Sequence, residues 1–202
     1  MKVKICGITR PADAEAAIAA GADLLGFVFR VGTPRALDPA ASDWIRDIAG
    51  VETVGVFLDA PLHEVVRVRD LLALDWVQLH GDEPDSYLDA LGEQVIRRVP
   101  IGSAIDWDRV THLAGRCLPL FDPGAGDGVA WGWKILSERP PGILFGLAGG
   151  LTPENVAGAV KTARPYLVDV SSGVEAAPGI KDHDKIRDFI AAAHEACRNF
   201  TG

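Results

Sequence analysis

Three side chains that can move protons, a thiol, an imidazole and a carboxyl, each stand at the end of a short apolar run. Cys6 ends VKIC, His80 ends DWVQLH and Asp122 ends CLPLFD. A thiolate can act as a base and a carboxylic acid as an acid, so such groups facing one another can carry acid–base chemistry. Each also has a structural interpretation, because a buried cysteine often only fills space and Asp or His before glycine often stabilises a turn. The elements that position these residues decide between the two interpretations.

Two glycine-containing loops follow later apolar runs. GLAGGLTPEN contains Gly149 and Gly150, and SSGVE contains Ser172 and Gly173. Backbone N–H groups of such loops can approach phosphate oxygens closely, and a following helix N-terminus adds a favourable dipole. Either loop alone is weak evidence, but the two together predict a phosphorylated ligand. The PGAGDG run (123–128) has the wrong glycine spacing for a dinucleotide-binding fingerprint.

Eight short apolar runs alternate with helix-like segments at intervals of roughly 25 residues, which is the pattern of repeated βα units. Continuous apolarity is typical of strands covered on both faces, as in parallel sheets. The runs are VKICGI (3–8), LLGFVF (24–29), TVGVFL (53–58), DWVQLH (75–80), QVIRRVP (94–100), CLPLFD (117–122), ILFGLAG (143–149) and LVDVSSG (167–173). They predict one (β/α)8 TIM barrel over residues 1–202. A doubly wound open sheet is the main alternative, although it would not need eight such evenly spaced units.

Helix signals support this alternation. Pro11 is a good first helical residue and Gly21 a good stop, while Thr152 and Pro153 predict the N-cap and first residue of a later helix. The segment 183–200 carries apolar residues at helical spacing. The sixth segment gives the weakest signal, because glycine and proline crowd it.

The active site of such a barrel lies at the carboxyl ends of its strands, where alternate side chains face the interior. Cys6, His80 and Asp122 then face one mouth, and Gln78 shares the inward face of His80. Lys4 is one layer below Cys6. It is expected either to pair with Asp169 on the neighbouring eighth strand or to extend to the bottom opening, since a lone buried charge is costly.

Composition excludes several function classes. The chain has 202 residues, 48% of them hydrophobic, which suits one sizeable core. Its formal net charge of −8 makes nucleic acid and anionic membrane poor candidates as partners. No apolar stretch approaches the ~20 residues that span a bilayer, and the first residues do not resemble a signal peptide. Three scattered cysteines fit neither a disulfide framework nor a metal site; of these, Cys117 and Cys197 are expected to be structural. We therefore expect a reduced, cytoplasmic protein.

The stretches KICGIT, GFVF…TPR, VGVF, VQLHG, LAGGLTPENV and VDVSSGVE…PGIKD together resemble the phosphoribosylanthranilate isomerase family of tryptophan biosynthesis. The resemblance covers nearly the whole chain in the family's order and approximate spacing. It implies a barrel without metal or cofactor that isomerises N-(5′-phosphoribosyl)anthranilate to the corresponding deoxyribulose phosphate, an Amadori rearrangement. The expected partner is this small phosphorylated substrate, bound by a monomer or a homodimer.

The resemblance also implies roles. Cys6 stands at the family's general base and Asp122 at its general acid, while Arg35 stands at a substrate-binding arginine that faces the anthranilate carboxylate. Gln78 and His80 are further candidates for substrate binding. Gly149, Gly150, Ser172 and Gly173 match the phosphate cradle. Because free Asp and Cys have pKa values near 3.9 and 8.5, the pocket is expected to raise the pKa of Asp122 and lower that of Cys6.

The chain departs from the family after the sixth run. Where the family commonly has GGTGxxFDW, this chain has AGDGVAWGW (125–133), with Asp127 and Gly132 in place of Thr and Asp. The loop is also short, since Pro123 follows the proposed acid directly. Two alternatives stay open: an isomerase of another phosphosugar, as in histidine biosynthesis, and a non-catalytic barrel that binds a phosphorylated ligand. The cysteine at the first strand argues against the former, because that related family typically uses two aspartates.

Overall fold

Eight parallel strands, numbered β1 to β8, close into a barrel in chain order. The computed structural model describes residues 1–102, 104–124 and 131–198. The strands are Lys2–Cys6, Leu24–Val28, Glu52–Phe57, Trp76–Leu79, Val95–Val99, Leu118–Phe121, Gly146–Leu147 and Leu167–Val170. Because β1 pairs with both β2 and β8, the sheet has no open edge. The barrel prediction is confirmed, and the open-sheet alternative is wrong.

Six α-helices occupy the connections within the described residues. They are α1 (Pro11–Ala20), α2 (Leu62–Leu72), α3 (Ser86–Leu91), α4 (Trp107–Ala114), α5 (Val156–Ala163) and α6 (His183–Arg198). The connection after β2 carries only the 3₁₀ helices Pro39–Ala41 and Asp43–Asp47, and the one after β6 carries Trp133–Glu138. The helix predicted from Pro11 ends as expected at Gly21, which adopts a φ of +94°. None of the described helices is long and apolar enough to cross a membrane.

Two predicted boundaries are wrong. The seventh strand, expected over 143–149, covers only Gly146–Leu147. Beyond its carboxyl end, Gly149 and Gly150 turn the chain with positive φ angles. The helix expected to begin at Pro153 begins at Val156, with Asn155 at its N-cap. The Asn155 side chain accepts a bond from the Thr152 N–H at 2.8 Å and donates to the Gly150 carbonyl at 2.8 Å, so it holds a turn ahead of the helix.

The barrel interior is apolar in its lower layers and polar at its carboxyl mouth. One buried cluster fills the interior with Leu24, Val54, Ile96, Leu120, Ala148 and Leu167. A larger cluster packs the outer face of the strands against the surrounding helices. Because every second side chain of a strand faces the barrel interior, the inward face continues from these apolar residues to the polar residues at the strand ends. The barrel thereby aims side chains from several strands at one opening.

A short hairpin follows the last barrel strand. After the 3₁₀ helix Ser172–Val174, strand β9 (Glu175–Ala177) pairs antiparallel with β10 (Ile180–Lys181). The turn of the hairpin lies against the loop after β2, because a Cβ at Gly179 would meet the carbonyl oxygen of Pro34 at 2.5 Å. The Thr9 hydroxyl also donates to the Gly179 carbonyl at 2.5 Å. The hairpin therefore connects the loops after β1, β2 and β8.

Candidate active site

One cavity of about 240 Å³ collects every residue that the sequence analysis nominates for the site. These residues are Cys6, Arg35, Gln78, His80, Asp122, Gly149, Gly150, Ser172 and Gly173. They come from β1, β4 and the loops after β2, β4, β6, β7 and β8. The prediction that they share the mouth of the barrel is confirmed.

Cys6 lies directly above a buried ion pair. The Lys4 ammonium is 2.9 Å from Asp169 Oδ2, and the lysine side chain has no exposed surface. The pair that strand parity predicts is therefore confirmed, and extension of Lys4 to the bottom opening is wrong. Gly26 on β2 gives both side chains room, since a Cβ there would lie 2.7 Å from Cys6 Sγ and 3.1 Å from Lys4 Cε.

The pKa of the Cys6 thiol is raised, contrary to the expectation that the pocket lowers it. Burial is the largest cause, because desolvation disfavours the thiolate. The Lys4 ammonium opposes this, but Asp169 beside it cancels part of its effect. The expectation underestimated desolvation at this position, where only 8% of the Cys6 residue is exposed.

Asp122 has a raised pKa, as expected, and burial is again the main cause. Its Oδ1 accepts a 2.7 Å hydrogen bond from the Gly124 N–H, which favours the carboxylate and offsets part of the burial effect. Oδ2 faces His80, with 3.9 Å between it and Nε2. One carboxyl oxygen is thus fixed by the loop, while the other faces the imidazole.

His80 is neutral over the physiological pH range, because burial and then the positive charge of Arg98 lower its pKa to about 4. Its Nδ1 lies 3.1 Å from the Gln78 side-chain nitrogen. An amide NH₂ is a donor only, so Nδ1 accepts and the ring proton is on Nε2, which faces Asp122. Gln78 Oε1 is buried and has no hydrogen-bond partner within the described part of the chain.

Arg35 is already paired with an acidic side chain, a contact that the sequence analysis did not predict. Its Nε and Nη2 donate to the two oxygens of Glu175, both at 2.7 Å. Glu175 is 140 residues further along the chain and also binds the buried Lys181 ammonium at 3.0 Å. Arg35 nevertheless lines the cavity, and its Nη1 has no partner among the residues the structure describes. One edge of the guanidinium is held by the hairpin and the other nitrogen is available to a ligand.

The two glycine loops meet at the wall of the cavity. Gly149 and Gly150 have φ angles of +85° and +65°, which L-residues rarely adopt. A Cβ at Gly173 would overlap the carbonyl oxygen of Leu151, so the loop after β8 packs backbone to backbone against the loop after β7. Glycine is required at this contact. The arrangement presents two backbone segments side by side, as a phosphate cradle needs.

The sequence profile described as N-(5′-phosphoribosyl)anthranilate (PRA) isomerase matches residues 3–192. The chain belongs to the PRA isomerase family. It is 48% identical over 202 aligned residues to the N-(5′-phosphoribosyl)anthranilate isomerase of Geotalea daltonii, covering 96% of this chain and 97% of that one. It is 44% identical to the enzyme of the same name from Geobacter sulfurreducens, at 96% and 98% coverage.

Solved structures of PRA isomerases share the fold over the same length. The Thermus thermophilus protein superposes with a TM-score of 0.85 at 37% identity, covering 96% of this chain and 99% of that one. A PRA isomerase in complex with reduced 1-(o-carboxyphenylamino)-1-deoxyribulose 5-phosphate gives a TM-score of 0.83 at 35% identity, with the same coverage. The resemblance seen in the sequence motifs is confirmed at the level of the family and the barrel.

The departure from the PRA isomerase pattern after β6 is visible at Gly132. This residue is the N-cap of the 3₁₀ helix Trp133–Glu138, at the position where the family commonly has aspartate. Glycine serves there at a cost of a few tenths of a kcal/mol. Asp127 lies outside the described residues. The Trp131 indole donates to the Ala148 carbonyl at 2.9 Å, which fixes the end of this loop against β7.

The sequence analysis missed Arg30, which lines the cavity, and two charged residues beside it, Glu175 and Arg98. Glu175 is part of the quoted SSGVE motif, but its partner Arg35 is too distant in sequence to be assigned. Arg98 is the second arginine of VIRRV, and it shares the inward strand face of Ile96. Its inward parity was the available signal, since a charged residue on that face of β5 must reach the barrel mouth. Arg97, on the other face, instead pairs with the buried Glu83 at 2.7 Å.

Proposed function

We propose that this chain converts N-(5′-phosphoribosyl)anthranilate to 1-(2-carboxyphenylamino)-1-deoxyribulose 5-phosphate, an aldose–ketose isomerisation in tryptophan biosynthesis. The observation that carries the proposal is the single cavity in which a thiol, a buried carboxyl and two adjoining glycine loops meet. Membership of the PRA isomerase family supports the same reaction. The rearrangement shifts protons within one molecule, so it needs an acid and a base and consumes no oxidant.

Asp122 is the proposed acid. It protonates the furanose ring oxygen, the bond from that oxygen to C1′ breaks, and the nitrogen lone pair forms the Schiff base. A carboxyl must hold its proton to do this, and the raised pKa of Asp122 increases the protonated fraction at any given pH. His80 stands beside it as a neutral imidazole with its Nε2–H towards the carboxyl, which keeps a positive charge away from the acid.

Cys6 is the proposed base. Its thiolate removes the C2′ proton of the Schiff base, and the electron pair moves to give the enolamine, which tautomerises to the ketoamine product. The raised pKa means that the thiolate is a minority form in the unliganded protein. The Lys4 ammonium beneath Cys6 is the main group that favours the thiolate. Because Asp169 is paired with Lys4 and raises the pKa of Cys6, it cancels part of this stabilisation.

The remaining cavity residues are proposed to bind the two ends of the substrate. Arg35 offers Nη1 to the anthranilate carboxylate while Glu175 holds its other edge. Gly149, Gly150, Ser172 and Gly173 offer backbone N–H groups and a hydroxyl to the phosphate. Gln78 and His80, which both line the cavity, are proposed to bind the central part, with the imidazole beside the Asp122 carboxyl. The proposed partner is a small phosphorylated molecule. Three further points stay predictions: that the chain is a monomer or a homodimer, that it forms a single domain, and that it is cytoplasmic.

A coupled fluorescence assay tests the function. Phosphoribosylanthranilate is made in situ, the protein is added, and the loss of anthranilate-type fluorescence is followed. We expect turnover above ~0.1 s⁻¹, given that ordinary enzymes turn over at ~1–10³ s⁻¹. The corresponding aminoaldose of histidine biosynthesis is assayed in parallel. Turnover of that compound alone would identify the other phosphosugar isomerase, and binding without turnover of either would identify a non-catalytic barrel.

A further inference from the structure

Arg98 binds the backbone of two different active-site loops at once. Its Nε donates to the Asp122 carbonyl at 3.2 Å and its Nη2 to the Pro123 carbonyl at 3.0 Å. Its Nη1 donates to the His80 carbonyl at 3.4 Å. The loop after β6 and the loop after β4 are therefore joined through one guanidinium, which projects from the strand between them.

The guanidinium also shapes the turn that orients the Asp122 carboxyl. Gly124 has a φ of +78°, and a Cβ at this position would overlap the Arg98 guanidinium. The backbone of Gly124 thus packs directly against Arg98, and its N–H donates to Asp122 Oδ1 at 2.7 Å. Arg98 fixes the backbone of residues 122–124, and this backbone fixes the carboxyl with Oδ2 towards His80.

We propose that Arg98 is a positioning residue for the isomerisation: by clamping the loop after β6 to the loop after β4, it holds the Asp122 carboxyl beside His80 at the reacting atoms. This inference rests on the proposed function, in which Asp122 is the acid. The short connection after Asp122, with Pro123 and Gly124 following at once, is what brings both carbonyls within reach. A lysine cannot replace the clamp, because one ammonium group lacks the planar fork that reaches three carbonyls.

The proposal predicts a kinetic effect distinct from a general loss of stability. The hydrogen bonds that Arg98 donates go to backbone carbonyls of the loops after β4 and β6, so its removal displaces the acid and leaves the phosphate loops in place. Small displacements of a catalytic group cost up to ~10²-fold in rate. The effect is expected in kcat, while binding of the product-like ligand changes little.

The experiment compares Arg98→Met and Arg98→Lys with the wild type and with Arg109→Met. Arg109 is an exposed arginine on α4 whose ion pair with Asp85 lies on the surface, so it serves as the matched control. Each protein is assayed for kcat, KM and the dissociation constant of reduced 1-(o-carboxyphenylamino)-1-deoxyribulose 5-phosphate. We expect both Arg98 variants to lose ~10–10²-fold in kcat, with the dissociation constant within about threefold. A wild-type kcat in Arg98→Met, or full restoration by lysine, would overturn the clamp.

Gly124→Ala keeps the proposal testable should Arg98→Met fail to fold. The added methyl displaces the guanidinium while the arginine remains, so kcat should again fall. The double variant Arg98→Met/Gly124→Ala should lose less kcat than the product of the two single losses, because both changes disrupt the same contact. A wild-type kcat in Gly124→Ala, or fully multiplicative effects in the double variant, would overturn the proposal. Asp122→Asn, assayed alongside, separates the two claims. If Asp122→Asn keeps its activity, the assignment of Asp122 as the acid has failed. If Asp122→Asn loses activity while the Arg98 and Gly124 variants keep theirs, only the proposal for Arg98 has failed.

Discussion

At the scale of single residues, the site is governed by the competition between burial and nearby charge. Burial raises the pKa of both Cys6 and Asp122, so the same desolvation helps the acid and opposes the base. Lys4 is the group that opposes burial at the thiol, and its own pKa is raised because Asp169 and Cys6 outweigh its desolvation. These opposing effects make Lys4 the residue whose removal is most informative.

Lys4→Met should raise the pKa of Cys6 further, because it removes the largest influence that lowers it. The measurement is the pH dependence of iodoacetamide modification at Cys6, followed on its own peptide by mass spectrometry because Cys117 and Cys197 are also free thiols. We expect the midpoint to move to higher pH. An unchanged midpoint would rule out an electrostatic role for Lys4.

The control for this variant is Lys4→Met combined with Asp169→Asn. Removing the lysine alone leaves a buried carboxylate unpaired, which costs ~3–5 kcal/mol of stability. The double variant removes both charges, and since Asp169 raises the pKa of Cys6, its loss should return part of the shift. The free energy of unfolding of both variants is measured. An equal loss in the single and the double variant would show that the unpaired Asp169 carboxylate is not the cause of the destabilisation.

Arg35→Ala should chiefly weaken substrate binding, since Arg35 lines the cavity beyond the strand end and is proposed to bind a carboxylate. We expect KM to rise at least ~10-fold, the equivalent of one charge-assisted hydrogen bond of ~1.5 kcal/mol or more. Glu175→Gln, which keeps shape but loses charge, should give a smaller rise because the arginine remains. A large fall in kcat with KM unchanged would instead indicate transition-state stabilisation.

At the scale of elements, strand alternation explains how much of the site could be predicted. Parity along β1 and β8 places Lys4 and Asp169 opposite each other, and the observed register pairs those two residues directly. The same rule places His80 and Asp122 at one mouth. Hydrogen bonds between side chains and backbone in loops do not follow from parity. The Asn155 side chain binds the Thr152 N–H and α5 begins only at Val156, which no pattern in LTPENV reveals.

Contacts between elements far apart in sequence were the part that sequence could not predict. The Arg35–Glu175 pair depends on the hairpin after β8 folding back on the loop after β2, and the Arg98 clamp depends on how short the connection after Asp122 is. The predicted direction of the Cys6 pKa shift was wrong for a related reason, because the extent of burial is a property of the closed barrel. Residue types and strand ends were predictable; the partners of the long side chains were not.

Gly173→Ala tests the junction of the two glycine loops. The added Cβ would overlap the Leu151 carbonyl oxygen, so the two loops must separate. We expect weaker binding of inorganic phosphate and a rise in KM of ~10-fold, about 1.4 kcal/mol. Gly158→Ala in α5 is the matched control, because a Cβ there meets nothing and alanine favours a helix by ~0.5–1 kcal/mol. Phosphate binding equal in both variants would contradict the cradle.

At the scale of the whole molecule, the barrel separates stability from chemistry. The lower interior and the outer strand faces hold the apolar clusters, while the proton-transfer and binding groups stand at strand ends and in loops. Changes at the mouth can therefore alter catalysis without removing the core. This separation allows the proposed acid and base to be replaced in an otherwise intact protein.

The most direct test of the account is the kcat of Cys6→Ser and Asp122→Asn for phosphoribosylanthranilate, measured beside the wild type. Binding of reduced 1-(o-carboxyphenylamino)-1-deoxyribulose 5-phosphate to each variant checks that the site is intact. General acid and base groups contribute ~10²–10⁴-fold, so each variant should lose at least ~10²-fold in kcat while still binding this ligand. If either variant kept more than half of the wild-type kcat, the role assigned to that residue would be contradicted.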